Sequence, residues 1–288
     1  MGAPWVDTPS WEVVGRVGAV LGRDVGRLLL DADAPTLQAT RNAQVAAFAL
    51  GLVLLDAARR AGLSWTAAAG HSLGEYTALV AAGVLSVDDA ARLVGERAEA
   101  MQEAADTSPG TMAAILGLSF DEVAACCDAA AGSWMANDNA PGQIVVAGTH
   151  GGVGAAAAAA KERGAKVLPL SVGGAFHTPL MSSAQARLDE ALRAAPFGDA
   201  DAVVVANVDA SPHREAVDWP ELLGAQLCHP VRWREGVLRL SDLAVTRVVE
   251  LGPGSVLSGM VKRIAPDLDR VCLATPDEFA SFGRSEAG

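Results

Sequence analysis

The five residues GHSLG, Gly70 to Gly74, stand where a short apolar stretch, Trp65 to Gly70, meets an apolar helical segment. A G-x-S-x-G pattern at a strand-to-helix turn describes a nucleophile elbow. The middle residue is forced into a strained backbone conformation, and small neighbours let strand and helix approach closely. Ser72 would then carry its hydroxyl clear of the sheet's carboxyl edge. The main-chain N–H of Leu73, at the start of the new helix, would point to where an oxyanion develops. Thirty glycines make the pattern easy to meet by chance, and a helix N-cap serine is the plain alternative. Its position between a strand and a helix is what favours the nucleophile.

A nucleophilic serine needs a base, and the chain has five histidines. His71 adjoins Ser72, and neighbours on an extended chain point to opposite sides, which suits a structural role. His150, His213 and His229 lie near turns in polar company. His177, in SVGGAFHTPLM, follows a buried strand and two glycines, between Phe176 and Leu180. It is a core histidine if alone and the leading general base if it meets Ser72. No carboxylate stands out as the group that would fix the imidazole tautomer; Asp209 and Glu250 are candidates, each also explained as a strand-end residue. In GAQLCHPVRW the helix carbonyl of Gln226 would normally accept from the residue four positions on. That residue is Pro230, which has no N–H, so the carbonyl is free to hold an imidazole.

A helix over Asp88 to Ala105, capped by Ser86 and with Asp88 and Asp89 in its first turn, puts Arg97 on one face with Ala90, Leu93, Val94 and Met101. Glu96, Glu99 and Glu103 lie around the cylinder. Either the guanidinium snorkels outward or meets a buried carboxylate, or it clamps a substrate carboxylate with two hydrogen bonds. The second reading implies an acyl group bearing a free acid.

These residues need a sheet to hold them. From Val13 to Leu55 the pattern is helical, with a turn around Asp31 to Gln44. Trp65 to Gly70 reads as a strand leading through Ser72 into a helix, and Thr107 to Thr111 as a break. From Met112 to Ser171 the order is β-α-β-β-α-β, with strands at MAAILGL, WMAND, QIVVAG and KVLPLS and a turn at Asn139 to Gly142; this is the ferredoxin-like split unit. Beyond His177 come a helix, a buried strand at Ala202 to Asn207, the helix WPELLGAQLC, and a strand, Gly-Pro-Gly turn and helix in TRVVELGPGSVLSGMVKRI. The fold class is therefore α/β, a parallel doubly wound sheet interrupted by a small inserted lobe. The large lobe comprises 1–110 and 172–288, and the small lobe 111–171.

Composition narrows the function classes. With 288 residues, 51% hydrophobic and 19% charged, the chain buries a substantial core. A net charge of −12 argues against nucleic acid. An acidic partner would need a local basic cluster, for which Lys161, Arg163, Arg232, Arg234, Lys262 and Arg263 are candidates. VAAFALGLVLL, closed by Asp56, Arg59 and Arg60, is too short for a bilayer and reads as a buried helix, so no membrane role is expected. No basic segment followed by an apolar one opens the sequence, which makes the cytoplasm the expected location. The four cysteines lack metal-ligand spacing; free thiols and no metal are expected.

Taken together, AAGHSLGEYTALVAAGVLS, Arg97 in ERAEAMQEA, NDNAPGQIVVAG, GAFH, AQLCHPVRW and ELGPGSVLSGMVKRI resemble the malonyl-CoA:acyl carrier protein transacylase family, especially its actinobacterial members. The resemblance implies an α/β-hydrolase-like large lobe with a ferredoxin-like small lobe. It implies that Ser72 takes malonyl from coenzyme A as an ester, with His177 as base and then acid and the Gln226 carbonyl supporting it. By the same resemblance Leu73 supplies an oxyanion N–H, Arg97 pairs with the malonyl carboxylate, and Gln143, Phe176 and His71 join the substrate-binding set, Phe176 as in malonyl-preferring relatives. Malonyl-CoA and acyl carrier protein are the implied partners, with no metal or organic cofactor and a monomeric enzyme.

One departure accompanies the resemblance. The family opens with a strand ending in a motif like G-Q-G-S-Q, whose last Gln gives the second oxyanion N–H. The sequence MGAPWVDTPSW resembles the segment just after it. Exposed backbone on the neighbouring strands is the structural expectation. A serine hydrolase or thioesterase on the same elbow, and a relative that only docks carrier protein, are the competing functions.

Overall fold

The structure is a computed structural model and describes residues 2–286. In chain order it comprises α1 (Glu12–Leu21), α2 (Val25–Leu30), α3 (Ala34–Gln38), α4 (Thr40–Arg60), β1 (Ala67–Ala69), α5 (Gly74–Ala81), α6 (Val87–Thr107) and β2 (Thr111–Leu116). There follow α7 (Phe120–Asp128), β3 (Ser133–Ala140), β4 (Gln143–Gly148), α8 (His150–Glu162), β5 (Lys166–Leu170), α9 (Ser182–Ala194), β6 (Val203–Val205) and β7 (Pro212–His213). The chain closes with α10 (Trp219–Gln226), α11 (Trp233–Asp242), β8 (Arg247–Leu251), α12 (Val256–Ile264), β9 (Asp269–Leu273) and α13 (Pro276–Glu286).

The segment read as a turn, Asp31 to Gln44, is mostly helix. Asp33 caps α3 by accepting from the Thr36 N–H, and α4 begins at Thr40. The apolar run thus sits inside a helix of 21 residues, long and apolar enough to cross a membrane by length and composition, yet most of it is buried in the main core. Phe48, Leu52, Val53 and Leu55 of α4 pack there with Leu79 of α5 and Leu93 of α6. Ser86 caps α6 as expected, its Oγ accepting from the Asp89 N–H.

The small lobe is a four-stranded antiparallel sheet of order β3-β4-β2-β5, the ferredoxin-like arrangement, with α7 and α8 packed on it. Its hairpin is tighter than expected. β3 runs on to Ala140, leaving Pro141 and Gly142 between the strands. Asn137, Asp138 and Asn139 are buried, and the large lobe satisfies the last two. The Asp138 N–H donates to the Val231 carbonyl, Arg234 pairs with the Asp138 carboxylate, and Asn139 meets His71.

The large lobe has parallel pairings, as a doubly wound sheet requires: β1 pairs with β6, and β8 with β9, a strand the sequence reading did not include. They form two separate ladders, however, because β1 and β8 are not paired with each other. A cleft of about 1220 Å³ is lined by Thr66–Gly70 on one side and Arg247–Leu251 on the other. Among the described residues no strand joins β1 to β8 across this cleft.

Candidate active site

At the end of β1 the chain reverses sharply into α5. Ser72 takes a φ of +52°, the left-handed region that non-glycine residues rarely enter. A Cβ on Gly70 would stand 2.0 Å from the carbonyl carbon and oxygen of Gly74. The close approach therefore requires glycine at position 70. Position 74 is different, since a Cβ there meets nothing within 4 Å. Asn207, just beyond β6, ties the elbow down. Its Oδ1 accepts from the Ser72 N–H at 2.7 Å and its Nδ2 donates to the Gly70 carbonyl at 2.7 Å. The Leu73 N–H has no hydrogen-bond acceptor among the described residues, as an oxyanion donor requires.

His177 comes to Ser72 from the loop after β5, itself at a φ of +61°. Its Nε2 lies 2.8 Å from Ser72 Oγ and its Nδ1 2.8 Å from the Gln226 carbonyl oxygen. A carbonyl only accepts, so Nδ1 carries the proton and Nε2 offers its lone pair to the hydroxyl. The helix carbonyl released by Pro230 thus occupies the place of a triad carboxylate. Asp209 instead pairs with His213, and Glu250 accepts from the Leu257 and Ser258 N–H groups at the start of α12. Burial, aided by the charge of Arg97, pushes His177 down to about 3, so the imidazole is neutral.

Arg97 is 1% exposed and no carboxylate lies within ion-pair distance of it among the described residues. It neither snorkels nor meets a buried acid. Nη1 donates to Gln44 Oε1, and Nη2 to Gln226 Oε1 at 2.9 Å and to Ser72 Oγ at 3.2 Å. Its Nε, fully buried, has no hydrogen-bond partner. Burial opposes the guanidinium's charge. A cation held by neutral amides, with an orphan donor beside a nucleophile, is an anion receptor in its chemistry.

The other expected members sit further out. Phe176 packs against both the main core and the Met112–Ala175 cluster of the small lobe. His71 is held by Asn139 at 2.8 Å and lies against Trp233, with burial lowering its pKa. Gln143, at the start of β4, accepts from Arg263 of α12 at 2.7 Å and makes no hydrogen bond to the Ser72 cluster. Of the basic candidates, Arg232 and Arg234 are paired with Glu235 and Asp138. All four cysteines are free, two buried and two half-buried, and the described residues hold no cluster suited to a metal ion.

Sequence reasoning missed Asn207, Gln44 and Glu75. Each carries a weak signal: an amide closing a buried strand, an amide within an apolar helix, and an acid at the start of one. Glu75 is buried, accepting from the Asn207 N–H and from Gln226 Nε2.

The acyl transferase domain family matches residues 16–272. The malonyl CoA-acyl carrier protein transacylase of Bacillus subtilis (strain 168) is 42% identical over 255 residues, covering 87% of this chain and 80% of that protein. Its Escherichia coli (strain K12) counterpart is 37% identical over 275 residues, with 94% and 89% covered. Among solved structures, a type II PKS acyl-carrier protein in complex with its malonyl-transacylase, PlMCAT:AntF, matches at a TM-score of 0.95 and 34% identity, covering 99% of this chain and 94% of that one. The acyl-carrier-protein S-malonyltransferase of Burkholderia pseudomallei 1710b matches at 0.93 and 38%, with 98% and 94% covered. With the family matched over most of its length and an elbow, a base and a buried arginine converging on one hydroxyl, the chain belongs to the malonyl CoA-acyl carrier protein transacylase family.

Proposed function

We propose that the protein transfers malonyl from malonyl-CoA to the phosphopantetheine thiol of acyl carrier protein through a malonyl ester on Ser72, serving fatty-acid or polyketide synthesis. The observation that carries this reading is Arg97, buried without a carboxylate partner and 3.2 Å from Ser72 Oγ. Its fork takes the malonyl carboxylate and so brings the thioester carbonyl to the serine.

His177 Nε2 accepts the hydroxyl proton as Ser72 Oγ attacks the thioester carbon. The Gln226 carbonyl holds the imidazolium that forms, through Nδ1–H, and the Leu73 N–H donates to the developing oxyanion. Collapse breaks the carbon–sulfur bond, and His177 returns its proton to the coenzyme A sulfur. In the second half, His177 takes the proton of the pantetheine thiol, whose sulfur attacks the ester carbon, and returns it to Ser72 Oγ. Neither half needs a metal or an organic cofactor. Phe176 limits branching at the acyl α-carbon, while His71 and Gln143 support the pocket from the seam between the lobes.

Mass spectrometry of the protein mixed with malonyl-CoA tests this. The expected result is a malonyl adduct on the peptide containing Ser72, discharged faster by phosphopantetheinylated acyl carrier protein than by water. No adduct at any time would favour a docking-only protein, and discharge by water at an equal rate a hydrolase.

A further inference from the structure

Glu75 is a buried acid that the transfer chemistry leaves unused. It is the second residue of α5, 1% exposed, in a helix whose other buried side chains are those of Tyr76, Ala78, Leu79 and Val80. Both its oxygens are spoken for by donors. Oε1 accepts from the Asn207 N–H at 2.8 Å, and Oε2 from Gln226 Nε2. The opposite end of that amide, Gln226 Oε1, accepts from Arg97 Nη2 at 2.9 Å. Glu75, the Gln226 amide and Arg97 Nη2 thus form a row in which each contact joins a donor to an acceptor.

An amide can be turned end for end, and nothing in Gln226 itself says which end should face the arginine. A carboxylate only accepts, so Glu75, together with the Ser72 carbonyl that accepts from the same Nε2 at 3.0 Å, turns Nε2 towards itself and leaves Oε1 to face Arg97. The amide also keeps the acid one residue away from the guanidinium. A carboxylate in direct contact would occupy the fork that a substrate acid needs; one held behind an amide supplies negative charge without competing. The charged and titratable groups facing Glu75 are Arg97 from α6, Asp209 from the segment after β6 and its neighbour Tyr76. Burial raises the Glu75 pKa to about 7, against the opposing effects of its two hydrogen bonds and of Arg97, so the acceptor-only carboxylate is the form present above that pH, where the comparison below is made.

We infer that Glu75 is a positioning residue which, by fixing the polarity of the Gln226 amide, holds Arg97 aimed at Ser72 and so sets the site's preference for acid-bearing acyl groups. The inference rests on the reading of Arg97 as the clamp for the acyl carboxylate.

The test compares Ser72 loading from malonyl-CoA and acetyl-CoA in the wild type, Glu75→Gln, Glu75→Asp and Arg97→Ala. Glutamine at 75 brings its own N–H₂ group into a row that already has a donor at each contact. Either Gln226 turns and sets Nε2 against Arg97, or two amides clash. Losing one charge-assisted hydrogen bond to Arg97 corresponds to about 10- to 100-fold. Glu75→Gln should therefore lower the malonyl-to-acetyl ratio of kcat/KM by that factor, chiefly through the KM for malonyl-CoA. Glu75→Asp, which only accepts, should recover part of it. An unchanged ratio in Glu75→Gln, or equal losses for both acyl groups, overturns the inference while leaving the clamp intact if Arg97→Ala still abolishes the preference. A ratio unmoved by Arg97→Ala overturns the clamp itself.

Discussion

Arg97→Ala is the most direct perturbation of the site, and its consequences can be worked out contact by contact. The change removes a buried cation whose Nε has no partner and whose Nη2 lies 3.2 Å from Ser72 Oγ. A bound malonyl carboxylate would lose two charge-assisted hydrogen bonds, at roughly 1.5–3 kcal/mol each. That sums to roughly 3–6 kcal/mol, or about 10²- to 10⁴-fold in malonyl loading. The same change strands Gln44 Oε1 and Gln226 Oε1, both in buried side chains, and costs the fold about 1–3 kcal/mol for each acceptor left unsatisfied. Because Gln226 also holds His177, some of the loss in rate will come from a loosened base. A ratio removes that contribution. Acetyl-CoA uses the same serine and histidine but offers no carboxylate, so malonyl loading divided by acetyl loading isolates the clamp. The assay is intact-mass measurement of Ser72 acylation against time with each thioester. The malonyl-to-acetyl ratio should collapse by about 10² or more. Equal decreases for the two substrates would refute the clamp and leave Arg97 a purely structural residue.

Other perturbations test separate parts of the site. Asn207→Ala removes the acceptor of the Ser72 N–H and the donor to the Gly70 carbonyl; a loss of about 2–4 kcal/mol in denaturant unfolding, with slower loading of both thioesters, is expected. Loading by Asn207→Ala at the wild-type rate would show that the elbow holds its shape unaided. Gly70→Ala should give no folded, active protein, because its Cβ would lie 2.0 Å from main-chain atoms of Gly74, whereas Gly74→Ala should keep its fold; circular dichroism and Ser72 acylation distinguish the two. His177 is pushed down to about 3, so acetyl loading should vary little between pH 8 and about 5.5 through this group, and a break near the ordinary histidine pKa, about 6.5, would contradict a neutral buried base. Arg97 is one of the causes that lower it, so Arg97→Ala should move the acid break of acetyl loading upward.

The legible parts of the molecule were those whose cause is local. The glycine pattern around Ser72, the helical face carrying Arg97 and the Ser86 cap depend on residues a few positions apart. The Gln226 carbonyl was legible for the same reason, since Pro230 cannot donate to it wherever the helix lies. What the sequence concealed is set by distant partners. Asn207 meets Ser72 across 135 positions and Gln44 meets Arg97 across 53, so neither amide declares its role locally. Asn139 read as the start of a turn because polar residues normally favour turns. It is strand because His71 of the large lobe satisfies its side chain. The parallel character of the sheet was likewise legible, but the strand β9 and the separation into two ladders depend on which strands meet, and periodicity along the chain carries no such information.

The geometry also bears on why the base and the clamp stand so close. Gln226 serves both, with its main chain on His177 and its side chain on Arg97. In the unliganded site the guanidinium depresses the basicity of His177, because a second positive charge in the same buried space is unfavourable. A carboxylate placed on Arg97 neutralises that charge, and the imidazole beside it becomes easier to protonate. On the proposed mechanism the substrate acid would therefore orient the thioester and, through the electrostatics of the pocket, strengthen the base that takes the serine's proton. An acyl group without the acid would leave the cation uncompensated and the base weak. Discrimination would then arise in the proton-transfer step as well as in binding, from one buried arginine held by the amides of Gln44 and Gln226.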